Sequence, residues 1–113
     1  MLLYNSYLDF ATGYGTISAV ICPPLSETMM PGFLKDPHRY AGLFDIFALS
    51  SDSEQYPVSL IEGMAAGCPV VATDVGDVYN MVAAPNREFI ISREDEDGLA
   101  KAINILSENA ELR

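Results

Sequence analysis

The chain has 113 residues, half of them apolar, which suits one domain with a modest core and argues against general disorder. Sixteen acids against six bases give a formal net charge of -10, which repels phosphate polymers and anionic bilayers at long range. A nucleic-acid partner is therefore not expected. Two cysteines, Cys22 and Cys68, make neither a disulfide framework nor a metal set, and reduced thiols fit a cytoplasmic setting.

The opening MLLYNSYLDFA has no basic start and no long apolar run, so neither a signal peptide nor a membrane span is read there. Residues 16–22 (TISAVIC) are β-branched and apolar, end at a Pro-Pro pair, and read as a strand. Residues 24–37 mix Pro, Gly, Ser and Thr and read as a long loop, with Met29, Met30, Phe33 and Leu34 exposed unless something covers them. Asp36 or Pro37 opens a short helix through Leu43, where His38 is a surface or cap residue.

Downstream the pattern tightens. Residues 45–49 (DIFAL) form a buried strand and 50–57 a polar loop. A helix follows over 58–66, with Leu60, Ile61, Met64 and Ala65 on one face and Gly67 as its stop. VVA at 70–72 reads as a central parallel strand. A short helix at 77–82, a strand at 88–91 and a surface helix at 97–106 complete the order, the last with Leu99, Ala102, Ile103 and Leu106 as its apolar stripe. The acid run 94–97 is a solvated helix start. Alternating strands and helices predict an α/β fold, an incomplete Rossmann-like domain whose small, mostly parallel sheet is flanked by helices. Three strands make half of a doubly wound domain unless 16–22 joins them. The organisation expected is a poorly defined segment over 1–36 and the α/β unit over 37–113.

The functional signal lies in 50–78. Glu54 and Glu62 stand eight positions apart, one in the loop and one about a turn into the helix. The helix's first amides, at Val58, Ser59 and Leu60, lack intrahelical partners and favour an anionic group at the carboxyl ends of the strands. A carboxylate accepts two hydroxyl bonds well, as vicinal sugar or ribose hydroxyls offer them. The glutamates are not placed to share a proton, so a glycosidase pair is not indicated. Neither a P-loop nor a GxGxxG stands in the chain, and no metal site is read. Taken singly, Glu54 fits a surface acid or cap and Glu62 a solvent-facing helix residue. Gly63, Ala65, Ala66 and Gly67 fit a helix lying close on a sheet, and Thr73-Asp74 a plain turn ended by Gly76.

Glu54-x7-Glu62, followed by Ala65-Ala66-Gly67-Cys68-Pro69-Val70-Val71-Ala72-Thr73 and Gly76, resembles the carboxyl-terminal donor-binding domain of the retaining glycosyltransferases called group 1, or family 4, with the two-Rossmann-domain GT-B fold. The likeness covers 45–82 and extends through FIISREDEDGLAKAINIL at 89–106. It implies that Glu54 contacts the donor sugar in the catalytic role and that Glu62 holds ribose hydroxyls. It also implies that the amides of Val58, Ser59 and Leu60 face the diphosphate, with Tyr56 and Gly76 completing the donor site. The substrate implied is a UDP-, GDP- or ADP-sugar with no further cofactor, and the acceptor a sugar or lipid-linked sugar. Gln55-Tyr56-Pro57 replaces the family's usual glycines, and the upstream Arg and Lys that neutralise the diphosphate have no match, since Lys35 and Arg39 lie too near the motif. An amino-terminal acceptor domain is also expected and not found in the chain, so the chain alone should be weak or inactive. The rival reading is a noncatalytic truncated α/β module that works by self-association or through a partner domain.

Overall fold

The computed structural model describes residues 3–8, 15–22, 27–29 and 36–113, with side chains at 36 and from 38 onward. The strands are β1 (Leu3–Leu8), β2 (Gly15–Cys22), β3 (Glu27–Met29), β4 (Ile46–Leu49), β5 (Val70–Thr73) and β6 (Ile90–Ile91). The helices are α1 (Val58–Ala65), α2 (Val78–Met81) and α3 (Glu96–Glu108). The strands form one sheet in the order β3-β2-β1-β4-β5-β6. β1, β4, β5 and β6 run parallel, while β2 is added antiparallel to β1 and β3 antiparallel to β2 at one side. The β4–β6 half alternates with its helices as the sequence pattern requires: the fold is a Rossmann-like α/β arrangement.

β4 and β5 are buried at every position because helices cover both faces. Successive side chains point to opposite faces of a strand, so each strand feeds two cores. Phe47, Leu49, Val70 and Ala72 pack with Leu60 of α1, Val78 of α2, and Val75 and Val82. Ile46, Ala48 and Val71 pack with Phe89 and with Ala102 and Leu106 of α3. At about 25 cal/mol per Å² of apolar area, these two layers are the main source of stability. The acid run forms the start of α3 as expected: Asp95 Oδ1 accepts from the Gly98 N–H at 2.8 Å, with Glu96 and Asp97 in the first turn. Capping and negative charge both suit a helix amino end.

Several expectations change in detail. The strand read at 16–22 is β2, and it joins the sheet through β1, which periodicity did not reveal. β3 lies inside the expected loop, while the exposure expected at Met29, Met30, Phe33 and Leu34 lies outside the described side chains. The helix expected through Leu43 is two short 3-10 turns, Pro37–Arg39 and Ala41–Leu43, closed by bonds such as Leu43 N–H to Tyr40 O at 2.9 Å. The Cys68 thiol lies 3.4 Å from the carbonyls of both Ala41 and Phe44, so its single hydrogen is shared between the two ends of the second turn. On α1, Leu60 and Gly63 are buried and Met64 partly so, whereas Ile61 and Ala65 face outward. The cause is Gly63, whose missing Cβ lets the Phe47 ring fill that place: a Cβ there would stand 2.6 Å from the ring.

The strand expected at 88–91 shrinks to Ile90–Ile91, preceded by a 3-10 turn over Ala84–Phe89. Asn86 explains it. Its Oδ1 accepts from the Val70 N–H at 2.9 Å and its Nδ2 donates to Val70 O at 2.8 Å. Alternate residues of a strand turn their backbone groups to opposite neighbours, so Val70 faces the same side as Ala72, which pairs with Ile90. One side-chain amide thus takes the place of a strand residue.

Two outcomes test this packing. Overpacking a close contact costs about 1–3 kcal/mol, so Gly63→Ala should lower the urea midpoint, while Gly42→Ala, with open space around it, should not. Burial first, then the charge of Asp45, pushes the Cys68 thiol above its ordinary 9.0. The folded chain then holds this proton after the unfolded chain has released it. This contribution is complete below about pH 9 and declines as pH rises through the raised folded value. The thermal midpoint should fall over that range, and less steeply in Cys68→Ala.

Candidate active site

The parallel strands β4, β5 and β6 end on one edge, and the connections leaving them there are 50–57, 74–77 and 92–95. Open parallel sheets build ligand crevices beyond their carboxyl ends. Here the three connections are tied to one another. The Asp74 N–H donates to Ile91 O at 2.7 Å, joining the exits of β5 and β6. Thr73, a buried polar residue closing β5, donates its hydroxyl to Ser51 O at 2.6 Å, with Leu49 O more distant at 3.4 Å. Further along, the Asp77 N–H donates to Gln55 O at 3.3 Å. Arg93 Nη1 reaches Asp52 O at 3.5 Å, a marginal bond.

Gly76 stands between these ties with φ +55, in the left-handed region that favours glycine. A Cβ there would overlap the Glu54 carbonyl oxygen and come within 2.8 Å of Gln55 O. The 73–77 turn therefore lies directly against the loop that carries Glu54. The structure brings Gly76 and Glu54 together.

Glu54 is half-buried, and its Oε1 accepts from the Ser51 hydroxyl at 2.8 Å. Glu62 is half-buried on the second turn of α1, and no donor to its carboxylate is found among the described residues. The Val58 side chain is exposed, Ser59 half-buried and the Leu60 side chain fully buried. The Leu60 N–H donates to Pro57 O at 3.2 Å, which engages one of the three amides expected to be open. Tyr56 lies exposed beside them. Pro57 enters α1 in an extended conformation with no side-chain cap, and the first turn holds no acid. The positive end of this helix is thus not neutralised by its own residues.

A cavity of about 370 Å³ opens at the other end of β5, lined in part by Met64, Cys68, Pro69, Val82 and Asn86. None of the predicted site residues lines it. Two of its polar side chains are already engaged, the Cys68 thiol with carbonyls and the Asn86 amide with Val70, while Arg113 also lines it.

Ser51 and Thr73 are the residues that reading the sequence missed. A serine three positions before an acid is a local signal, since its hydroxyl reaches back across a turn. Thr73 carried no such signal, because its partners are 22 and 24 residues away.

The model of the family described as glycosyl transferases group 1 matches residues 15–109. The chain belongs to the group 1 glycosyl transferases. WcaL of Escherichia coli K12, whose name places it in colanic acid biosynthesis as a glycosyltransferase, is 33% identical over 88 residues, 70% of this chain and 21% of WcaL. EpsD of Bacillus subtilis 168, named as a glycosyltransferase, is 32% identical over 81 residues, 72% of this chain and 21% of EpsD. The chain thus spans about a fifth of the length of these curated relatives. No solved structure matches it significantly.

Gly76→Ala should displace the Glu54 loop as well as strain the turn. Amide resonances of 51–57 should shift together in a 1H–15N spectrum, and the urea midpoint should fall by an amount matching about 1 kcal/mol or more.

Proposed function

We propose that this chain is the donor-binding part of a retaining glycosyltransferase with the GT-B architecture, holding a nucleoside-diphosphate sugar at the carboxyl edge of β4 and β5. The observation that carries the reading is the joining of the 51–55 loop, the uncapped start of α1 and the 73–77 turn at that edge. In this reading Glu54 accepts hydroxyl bonds from the donor sugar and Glu62 accepts them from the ribose. The amino end of α1 at Val58 and Ser59 faces the diphosphate, with Tyr56 and Gly76 at its border. The donor carries a UDP, GDP or ADP group, and the acceptor is a sugar or a lipid-linked sugar.

The chemistry follows from where charge grows. As the sugar leaves, its anomeric centre becomes positive and the departing diphosphate gains negative charge. Fixed donors aimed at that charge lower the barrier without reorganising during the reaction. The α1 dipole contributes about 0.3–2 kcal/mol to this, and the remainder must come from the acceptor-side domain that closes the site against water. The cytoplasmic location and a separate amino-terminal acceptor domain belong to the same proposal.

Titration of the chain with UDP-glucose and GDP-mannose, followed through the amides of 58–60, tests it. Saturable binding is expected. A sheltered charge-assisted bond is worth about 1.5–3 kcal/mol, so Glu62→Ala should weaken that binding about tenfold or more. Absence of binding at millimolar donor, together with concentration-dependent oligomers in ultracentrifugation, would instead favour the noncatalytic module.

A further inference from the structure

We propose that Ser51 and Thr73 are positioning residues of the donor site: the Thr73 hydroxyl fixes the Ser51 peptide, and the Ser51 hydroxyl in turn aims the Glu54 carboxylate. The inference rests on the donor-site reading and assigns roles to two residues outside the glutamate pair.

The geometry of each link is specific. β4 and β5 pair as far as Leu49 and Ala72, after which the β4 chain leaves the sheet. Thr73 sits one residue past that last pair, and its buried hydroxyl must find an acceptor or carry the cost of desolvation. It takes Ser51 O at 2.6 Å, while Leu49 O at 3.4 Å is too long to compete. Holding a carbonyl fixes the plane of its peptide, which includes the Ser51 Cα, and so narrows the direction in which its side chain starts. From that direction the Ser51 hydroxyl reaches Glu54 Oε1 at 2.8 Å. Among the described residues it is the donor to that carboxylate, so the acid's rotamer depends on this bond.

The far end of the loop is held independently. Asp77 N–H binds Gln55 O, and Gly76 lies against the Glu54 carbonyl. Glu54 is therefore suspended between two fixed points, one on each side. Backbone ties restrain where its Cα stands. The Ser51 hydroxyl decides where its carboxylate points.

The full chain is compared as wild type, Ser51→Ala, Thr73→Val and Thr73→Ser. Three-bond couplings report the Glu54 rotamer without any ligand, and titrations with UDP-glucose and with UDP report the site. A single Glu54 rotamer is expected in wild type and Thr73→Ser, and an averaged one in Ser51→Ala and Thr73→Val. Loss of the aimed bond should weaken UDP-glucose about tenfold and leave UDP within about twofold, because Glu54 meets the sugar alone. A purely structural role would lower the thermal midpoint of both variants and leave the couplings and the affinity ratio unchanged, which overturns the proposal. An averaged rotamer in wild type overturns it equally. If wild type binds neither ligand, the donor-site reading fails, while the couplings still decide whether the relay holds the carboxylate.

Discussion

The constraint on which the structure depends is the double burial of β4 and β5, whose residues have no face left for water. A strand apolar on both sides must have helices above and below, which requires the chain to cross the sheet after each strand. α1 and α2 close one face and α3 the other. Parallel crossovers of this kind return every strand in the same direction, so all their exits gather on one edge. The place of the proposed donor site is thus a consequence of burial.

Gathering loops on one edge does not order them, because loops lack the repeated backbone pairing that fixes strands. Here the ordering comes from a few bonds between exits that are distant in sequence. A threonine hydroxyl, one backbone amide and a glycine without a side chain bring the β5 exit onto the β4 exit, and a second amide joins it to the β6 exit. Each contact is small, about 0.5–1.5 kcal/mol net for an ordinary hydrogen bond. They act on a segment of only a few residues, where that is enough to select one conformation.

The sequence was most legible where a single period governs the residues. IFAL and VVA announced strands buried on both faces, and the stripe of α3 stands at helical spacing with Ala102 and Leu106 innermost. The placing of Glu54 in a loop and Glu62 in the helix after it was legible because their spacing spans one loop and one helix start. Elements whose form depends on a remote partner were not legible. LYNSYL of β1 mixes polar and apolar residues without alternation, and it becomes a strand by lying between β2 and β4. The outward turn of Ile61 depends on the Phe47 ring beneath Gly63. The shortened β6 depends on an asparagine that no periodicity singles out.

That asparagine has a consequence for how the sheet ends. An unpaired donor and acceptor at a sheet border can template the addition of a foreign strand. Beside Val70, where β6 has not yet begun, both groups are already occupied by Asn86. An incoming chain would have to evict a tethered side chain that makes two good bonds before it could form its own. The border is guarded by a single residue rather than by the length of a strand.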